Sequence, residues 1–252
     1  MTAQAPAHRL SAMRAVVCDT DGVITDTAGA HATAWKAAFD AHLRGRGDPG
    51  PAAHRPFDAT EDYLRYVDGK SRPDGAAAFL AARGLRPAPA EIEAVAGEKE
   101  RLFTELIRER GVRAYPGTVR LLDTLRGAGV PLAAVSASRH AREVLASAKV
   151  LDLFDVCVDG VEAARLRLPG KPDPALFLEA ARRLATRPAH CAVVEDALAG
   201  VEAGRRGGFG LVVGVDRTAG RGMGDALRRA GADVVVRDPV ELLTAAGEGT
   251  PS

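Results

Sequence analysis

Asp19-Thr20-Asp21-Gly22 follows one apolar run, Ser136-Ala137-Ser138 a second and Glu195-Asp196 a third, while Lys171 stands in the loop before a helical segment that begins at Pro174. Polar residues directly after the strands of an open parallel sheet share the rim where ligands bind. Four carboxylates on one rim repel one another, and their pKa values rise unless a cation joins them. The set therefore implies a hard divalent ion. Oxygen-only ligands with retained water suit Mg²⁺ better than zinc, which prefers His and Cys. Mg²⁺ binds best when a substrate phosphate completes its shell. Ser136, the backbone amides of Ala137 and Ser138, and the charge of Lys171 form the matching phosphate site. With a phosphoryl group held there, Asp19 can act as nucleophile and form an acyl phosphate, dividing the displacement into two steps. Asp21, two residues on and past a turn, can protonate the leaving oxygen and deprotonate the incoming one, a contribution of about 10²–10⁴ in rate.

Each group also has a plainer reading. Asp-x-Asp-Gly occurs in turns and calcium loops, and acids at 195 and 196 suit a helix N-terminus. Ser136 and Ser138 suit the cap of a helix running through His140, and Lys171 suits a solvated loop. Asp-x-Asp-Gly placed after a buried strand, with the three partner groups following in order, favours catalysis. Trp35 fits a core, and the pairs Arg182-Arg183, Arg205-Arg206 and Arg228-Arg229 fit solvated helix faces.

The elements that must position these residues are legible as an alternation. Apolar runs at Ala15 to Cys18, Pro131 to Val135, Cys191 to Val194, Gly210 to Val213 and Asp233 to Val236 read as strands buried on both faces. Between them, Thr118 to Gly127, His140 to Lys149, Pro174 to Ala185, Ala199 to Arg206 and Asp225 to Ala230 carry helical periodicity. The fold class is therefore α/β, a Rossmann-like doubly wound parallel sheet. From about Ala30 to Ala114 no apolar β run occurs, and the pattern is helical with breaks at Gly45 to Arg55 and around Arg86 to Pro89. The expected organisation is a core of residues 1–29 and 115–252, with an all-helical cap at 30–114 inserted after the first strand and placed like a lid. The tail Gly247 to Ser252 is polar and expected to be disordered.

The 252 residues, 46% hydrophobic, can bury a full core. Thirty-four basic and 33 acidic residues leave a formal charge of +1, with no field favouring nucleic acid. Apolar runs fall far short of the roughly 20 residues that span a bilayer, and Met1 to Arg14 holds no apolar run suited to a signal-peptide core. No nucleic-acid or membrane partner is expected, and the expected location is cytoplasmic. The three cysteines, Cys18, Cys157 and Cys191, sit in apolar runs and read as buried thiols.

The run from Asp19 to Thr27, followed by His31, Trp35, Ser136-Ala-Ser138, Lys171-Pro-Asp-Pro174 and Glu195-Asp-Ala-Leu-Ala-Gly-Val201, resembles the haloacid dehalogenase superfamily, specifically its β-phosphoglucomutase-like branch. The resemblance covers Arg14 to Leu243. It implies Asp19 as nucleophile, Asp21 as general acid/base, and Glu195 and Asp196 as metal carboxylates, with Asp21 adding its backbone carbonyl. It also implies that Ser136, Ala137 and Lys171 hold the transferring phosphate. Gly69-Lys70-Ser71-Arg72 resembles the cap loop whose Arg grips the substrate's other phosphate, and His31 with Lys99 matches a pair coupling cap closure to acid/base positioning. Arg139-His140 stands where the branch's mutases have Lys-Asn as sugar contacts, and Asp68 where a Lys is common. Cys18, Thr20 and Ala197 replace a Phe, an aliphatic residue and a Ser without altering charge at the site.

Two enzymes share these residues. One is a mutase interconverting a hexose 1-phosphate and 6-phosphate through a bisphosphate, with β-glucose 1-phosphate the first candidate because relatives of the branch work beside disaccharide phosphorylases. The other is a phosphatase, in which water attacks the phosphoaspartate. Arg72, His31 and Lys99 favour the mutase; Asp68 and His140 count against it. A dehalogenase has no need of the metal-binding acids, and a non-catalytic phosphometabolite-binding protein would be supported by a degenerate Asp19 or Asp21.

Overall fold

In the computed structural model, which describes residues 10–45, 55–218 and 222–243, the first apolar run forms strand β1 (Ala15–Asp19), buried throughout. A strand covered on both faces needs apolar residues at successive positions, and β1 alternates between two cores. Val16 and Cys18 join Leu121, Leu122 and Leu132; Ala15 and Val17 join Leu176, Phe177 and Val193. Fully burying one Val or Leu contributes roughly 1.5–3 kcal/mol, so the centre of the sheet is held from both sides. β1 pairs in parallel with β2 (Leu132–Val135) and with β4 (Cys191–Glu195). With β3 (Val156–Val158), β5 (Leu211–Val215) and β6 (Val234–Val236), they form a six-stranded sheet of order β3-β2-β1-β4-β5-β6. Chain order reverses between β1 and β4, and ligands bind in the crevice at such a switch point. Asp19 ends β1 and Glu195 ends β4.

The α-helices from residue 116 onward are α4 (Pro116–Gly127), α5 (Ala141–Ser147), α6 (Gly160–Leu166), α7 (Ala175–Arg183), α8 (Leu198–Arg206) and α9 (Met223–Ala230). Five of the strands and five of these helices were expected, with ends one or two residues away. The sequence reading missed β3 and α6. Val-Cys-Val is a three-residue edge strand, too short to stand out as a run. Its following residue, the buried Asp159, caps α6, its Oδ1 accepting from the amides of Val161 and Glu162 at 3.0 Å each. β5 also continues two residues past the expected Val213, which carries Asp216 and Arg217 to the rim.

The chain forms two compact units, one comprising β1 through Asp26 together with Arg113 onward, the other Thr27–Val112. In the second unit every described element is helical: α1 (Ala28–Gly45), a π-helical turn (Tyr63–Val67), α2 (Arg72–Ala82) and α3 (Pro89–Arg110). The buried residues of α1, His31, Ala34, Trp35, Ala38, Phe39 and Leu43, recur at helical spacing along one face. Trp35 packs in this unit's core with Phe39, Phe57 and Phe79, where Arg83 donates to the buried Asp62 at 2.7 Å. The break expected at Gly45 to Arg55 falls largely on residues 46–54, outside the described residues, as do residues 1–9 of the N-terminal stretch and the tail from Gly247. In the first unit, the Asp26 amide donates to the Arg113 carbonyl at 2.9 Å where the chain leaves and returns. Among the described residues no helix is long and apolar enough to cross a membrane.

Candidate active site

The loop after β1 is a tight turn built on one carbonyl. The oxygen of Thr20 accepts from the amides of Ile24 (3.0 Å) and Thr25 (2.9 Å) and from the Thr25 hydroxyl (3.1 Å), while the Gly22 amide donates to the Thr25 carbonyl at 2.8 Å. Gly22 sits at φ +85°, where a side chain is strained, and a Cβ there would lie 1.8 Å from Asp196 Oδ2. The turn thus brings the end of β1 against the end of β4.

Lys171, buried in a loop whose Lys171–Pro172 peptide is cis, donates to Asp19 Oδ1 and, at 2.9 Å, to Glu195 Oε2. Its ammonium also lies 4.8 Å from the Phe177 ring centre. Burial opposes the charge on Lys171, but Asp19 and Glu195 outweigh it and raise its pKa. Asp19 is held well above the usual carboxylate range, first by burial and then by Glu195, with Lys171 opposing and Asp21 adding to the rise. Asp19, Glu195 and Asp196 offer oxygens within 4.8 Å of one another. Three carboxylates around one buried ammonium leave an excess of negative charge, and a hard divalent cation fits both that excess and the oxygen-only donor set.

Glu195 is fixed further by the Ala197 amide, which donates to Oε1 at 3.1 Å. In the first turn of α8, a Cβ on Gly200 would lie 2.1 Å from Glu195 Cδ. Gly200→Ala should therefore push the carboxylate aside. Displacement of about 1 Å in such a site costs on the order of 10²-fold, so kcat should fall by that order. Steady-state assays over a divalent-ion titration check this, with a higher ion requirement expected beside the lower rate.

Ser136 directly follows β2 and is buried. Its hydroxyl donates to Asp21 Oδ2 at 3.0 Å and accepts from the Ser138 amide at 3.0 Å, so the side chain that orients Asp21 is itself held. The Ser138 hydroxyl accepts from the His140 amide at 3.2 Å, at the start of α5. Gly160 packs against this loop, its amide donating to the Ser138 carbonyl at 2.9 Å, and a Cβ on it would lie 2.6 Å from the Ala137 carbonyl. Arg139 is exposed, and the His140 ring pairs with Glu143 at 2.9 Å. The structure thus brings together Asp19, Asp21, Ser136, Lys171, Glu195 and Asp196. The three cysteines are buried and free. Burial pushes Cys18 up to about 12, with Asp19 adding to it, and burial pushes Cys157 and Cys191 up to about 11.

In the helical unit, Lys99 is buried and donates to His31 Nδ1 at 2.7 Å. His31 stacks on Phe103 with ring centres 3.9 Å apart, and the Lys99 ammonium lies 4.5 Å from the Phe103 ring and 5.7 Å from Trp35. Gly69 at φ +69° starts the loop into α2, and the Lys70 amide donates to the Val67 carbonyl at 3.2 Å. Ser71 is the N-cap of α2, its hydroxyl accepting from the Asp74 amide. Arg72 ion-pairs with Glu100 at 2.9 Å.

Sequence reading missed Arg217 and Thr118. The Arg217 guanidinium donates to the carbonyls of Gly22 and Val23 and to the Thr118 hydroxyl, which itself donates to the Val23 carbonyl. The signal that could have found Arg217 is its place two residues after a strand, close to the rule that selected the other site residues.

The haloacid dehalogenase-like hydrolase family matches residues 13–208. A β-phosphoglucomutase from Mycobacterium bovis is 42% identical over 240 residues, covering 92% of this chain and 92% of that protein. A phosphorylated-carbohydrates phosphatase from Thermotoga maritima is 32% identical over 235 residues, covering 92% and 97%. The crystal structure of a β-phosphoglucomutase from Clostridium difficile superposes with a TM-score of 0.70 at 27% identity, covering 91% of this chain and 93% of that one. With this sheet order and this rim, the chain belongs to the haloacid dehalogenase-like hydrolase family and is a phosphotransferase or phosphatase of it.

Proposed function

We propose that this enzyme is a Mg²⁺-dependent sugar-phosphate mutase that works through a phosphoaspartate on Asp19 and converts β-glucose 1-phosphate to glucose 6-phosphate. The observation that carries the chemistry is one turn holding two differently managed acids. Asp19 is gripped by the Lys171 ammonium, whereas Asp21 is oriented by the Ser136 hydroxyl at 3.0 Å. A carboxylate oxygen of Asp19 attacks phosphorus. The bond to the sugar oxygen breaks, and Asp21 gives that oxygen its proton. In the return step Asp21 takes the proton of an incoming sugar hydroxyl, whose oxygen attacks the acyl phosphate and releases Asp19. Lys171 and the Ser136–Ser138 loop bind the phosphoryl oxygens. Asp19, Glu195, Asp196 and the Asp21 carbonyl would hold Mg²⁺, which neutralises charge on the phosphoryl group. Likeness to a β-phosphoglucomutase over most of both chains supports the mutase.

In this reading Arg72, from the helical unit, grips the second phosphate of the bisphosphate, and Glu100, paired with it at 2.9 Å, holds the guanidinium. Arg72→Ala should then reduce mutase turnover by about 10²-fold, the scale of a lost positioning contact, while hydrolysis of p-nitrophenyl phosphate, which has no second phosphate, changes less than threefold. Parallel kinetics on the two substrates check this, and equal losses would remove Arg72 from phosphate binding.

A phosphatase is the second reading. His140 is engaged by Glu143, and a relative of similar coverage is named as a phosphatase of phosphorylated carbohydrates. Phosphorus NMR of the enzyme with Mg²⁺, β-glucose 1-phosphate and a trace of glucose 1,6-bisphosphate decides between them. Glucose 6-phosphate accumulating over many turnovers supports the mutase, and inorganic phosphate alone supports the phosphatase.

A further inference from the structure

Arg217 lies two residues past the end of β5 and spends every arm of its side chain within a single unit of the fold. Nε donates to the Gly22 carbonyl at 2.8 Å. Nη2 donates to the Val23 carbonyl at 3.2 Å and to the Thr118 hydroxyl at 3.0 Å, and Nη1 pairs with Asp238 at 3.3 Å. The guanidinium stacks on the Tyr115 ring, its central carbon 3.6 Å from the ring centre. The Tyr115 hydroxyl donates in turn to Asp26 at 3.0 Å, beside the backbone bond between Asp26 and Arg113. A planar cation stacked on one face and bonded at its edges has a fixed orientation, which a lysine cannot reproduce.

The two carbonyls it holds belong to the loop that carries the chemistry. Gly22 follows Asp21 directly, and its other side is against Asp196, where no Cβ fits. Gly22 is thus confined between an acid of the metal-binding set and the guanidinium. We infer that Arg217, oriented by Tyr115, is a positioning residue for phosphoryl transfer, fixing the Asp21-Gly22 turn so that Asp21 stays on Ser136 while Asp19 stays on Lys171. Arg217 reaches no reacting atom; it acts through the two carbonyls. This inference rests on the phosphoaspartate reading above.

Removing the fork frees the Gly22 carbonyl, and a shift of about 1 Å in the turn costs on the order of 10²-fold in rate. Arg217→Met should therefore lower kcat on p-nitrophenyl phosphate with Mg²⁺ by about 10²-fold, with KM within about threefold. Arg217→Lys, which keeps the charge and one bond, should recover part of the loss. Asp238→Asn is the comparison, since it weakens the same ion pair without touching the carbonyls. Near wild-type kcat in Asp238→Asn, alongside a large loss in Arg217→Met at similar melting temperature, supports positioning. Should Arg217→Met not fold, Arg217→Lys decides, with a several-fold drop in kcat at unchanged melting temperature expected. Wild-type kcat in the folded Arg217 variants, or an equal loss in Asp238→Asn, overturns the inference alone. A wild-type enzyme that neither hydrolyses p-nitrophenyl phosphate nor forms a phosphoenzyme overturns the phosphoaspartate reading and this inference with it.

Discussion

Asp19→Asn should keep the fold and lose on the order of 10⁴-fold or more of its turnover, the scale seen when the nucleophile of a covalent mechanism is removed. An amide has neither the charge nor the basicity to attack phosphorus, and Asp21 cannot replace it because its carboxylate is directed to Ser136. Stability should move the other way. Burial and Glu195 raise the Asp19 pKa in the folded protein. The folded state therefore binds that proton more tightly than the unfolded chain, so stability falls as pH rises from the unfolded pKa through the folded one, and the full penalty stands above both. A neutral Asn lacks that penalty, and Lys171 keeps Glu195 as a partner. In metal-free buffer near neutral pH, the variant should melt at or above the wild-type temperature. A fall of several degrees would mean that attraction between Asp19 and Lys171 outweighs the cost of burying the carboxylate.

Lys171→Met should be the most destabilising single change at the site. Glu195 is fully buried and Asp19 nearly so, and Lys171 is the ammonium that touches both. Taking one partner from a buried ion pair costs about 3–5 kcal/mol, because the remaining charge is left without compensation. Met fills a similar volume with an unbranched chain, so little of the loss comes from a cavity. Without the ammonium, nothing offsets the burial and the Glu195 charge that already raise the Asp19 pKa. The deficit relative to wild type should therefore shrink as pH falls and the acids protonate. Urea denaturation at acid and neutral pH measures this. Turnover should fall by a further 10²–10³-fold or about that, as for loss of one charged donor to a transition state. A variant as stable as wild type at both pH values would show that Lys171 does not hold the two acids.

The chemistry was more legible than the scaffold at its edges. Asp19 and Glu195 end, and Asp196 follows, five-residue buried strands at the centre of the sheet, where continuous apolar runs mark both the strand and the rim. β3 lies at the edge with three residues, and nothing in Val-Cys-Val separates it from a buried turn. Arg217 was hidden by Gly214, which interrupts the apolar run of β5. The structure shows why a glycine belongs inside that strand: a Cβ there would meet Leu227 Cβ of α9 at 3.1 Å. The contact between His31 and Lys99 spans 68 residues and depends on α1 packing on α3, which no local pattern encodes; only resemblance linked them. Lys171 likewise carries no spacing signal, and its burial between two acids follows from tertiary structure alone.

The most direct test is to trap the covalent intermediate. The enzyme is mixed with Mg²⁺ and glucose 1,6-bisphosphate, quenched, and reduced with borohydride, which converts a phosphoaspartate to homoserine. Peptide mass spectrometry then locates the change. Homoserine at position 19, absent from Asp19→Asn, is the expected result; homoserine at another acid, or none in an enzyme that is turning over, would contradict the phosphoaspartate mechanism.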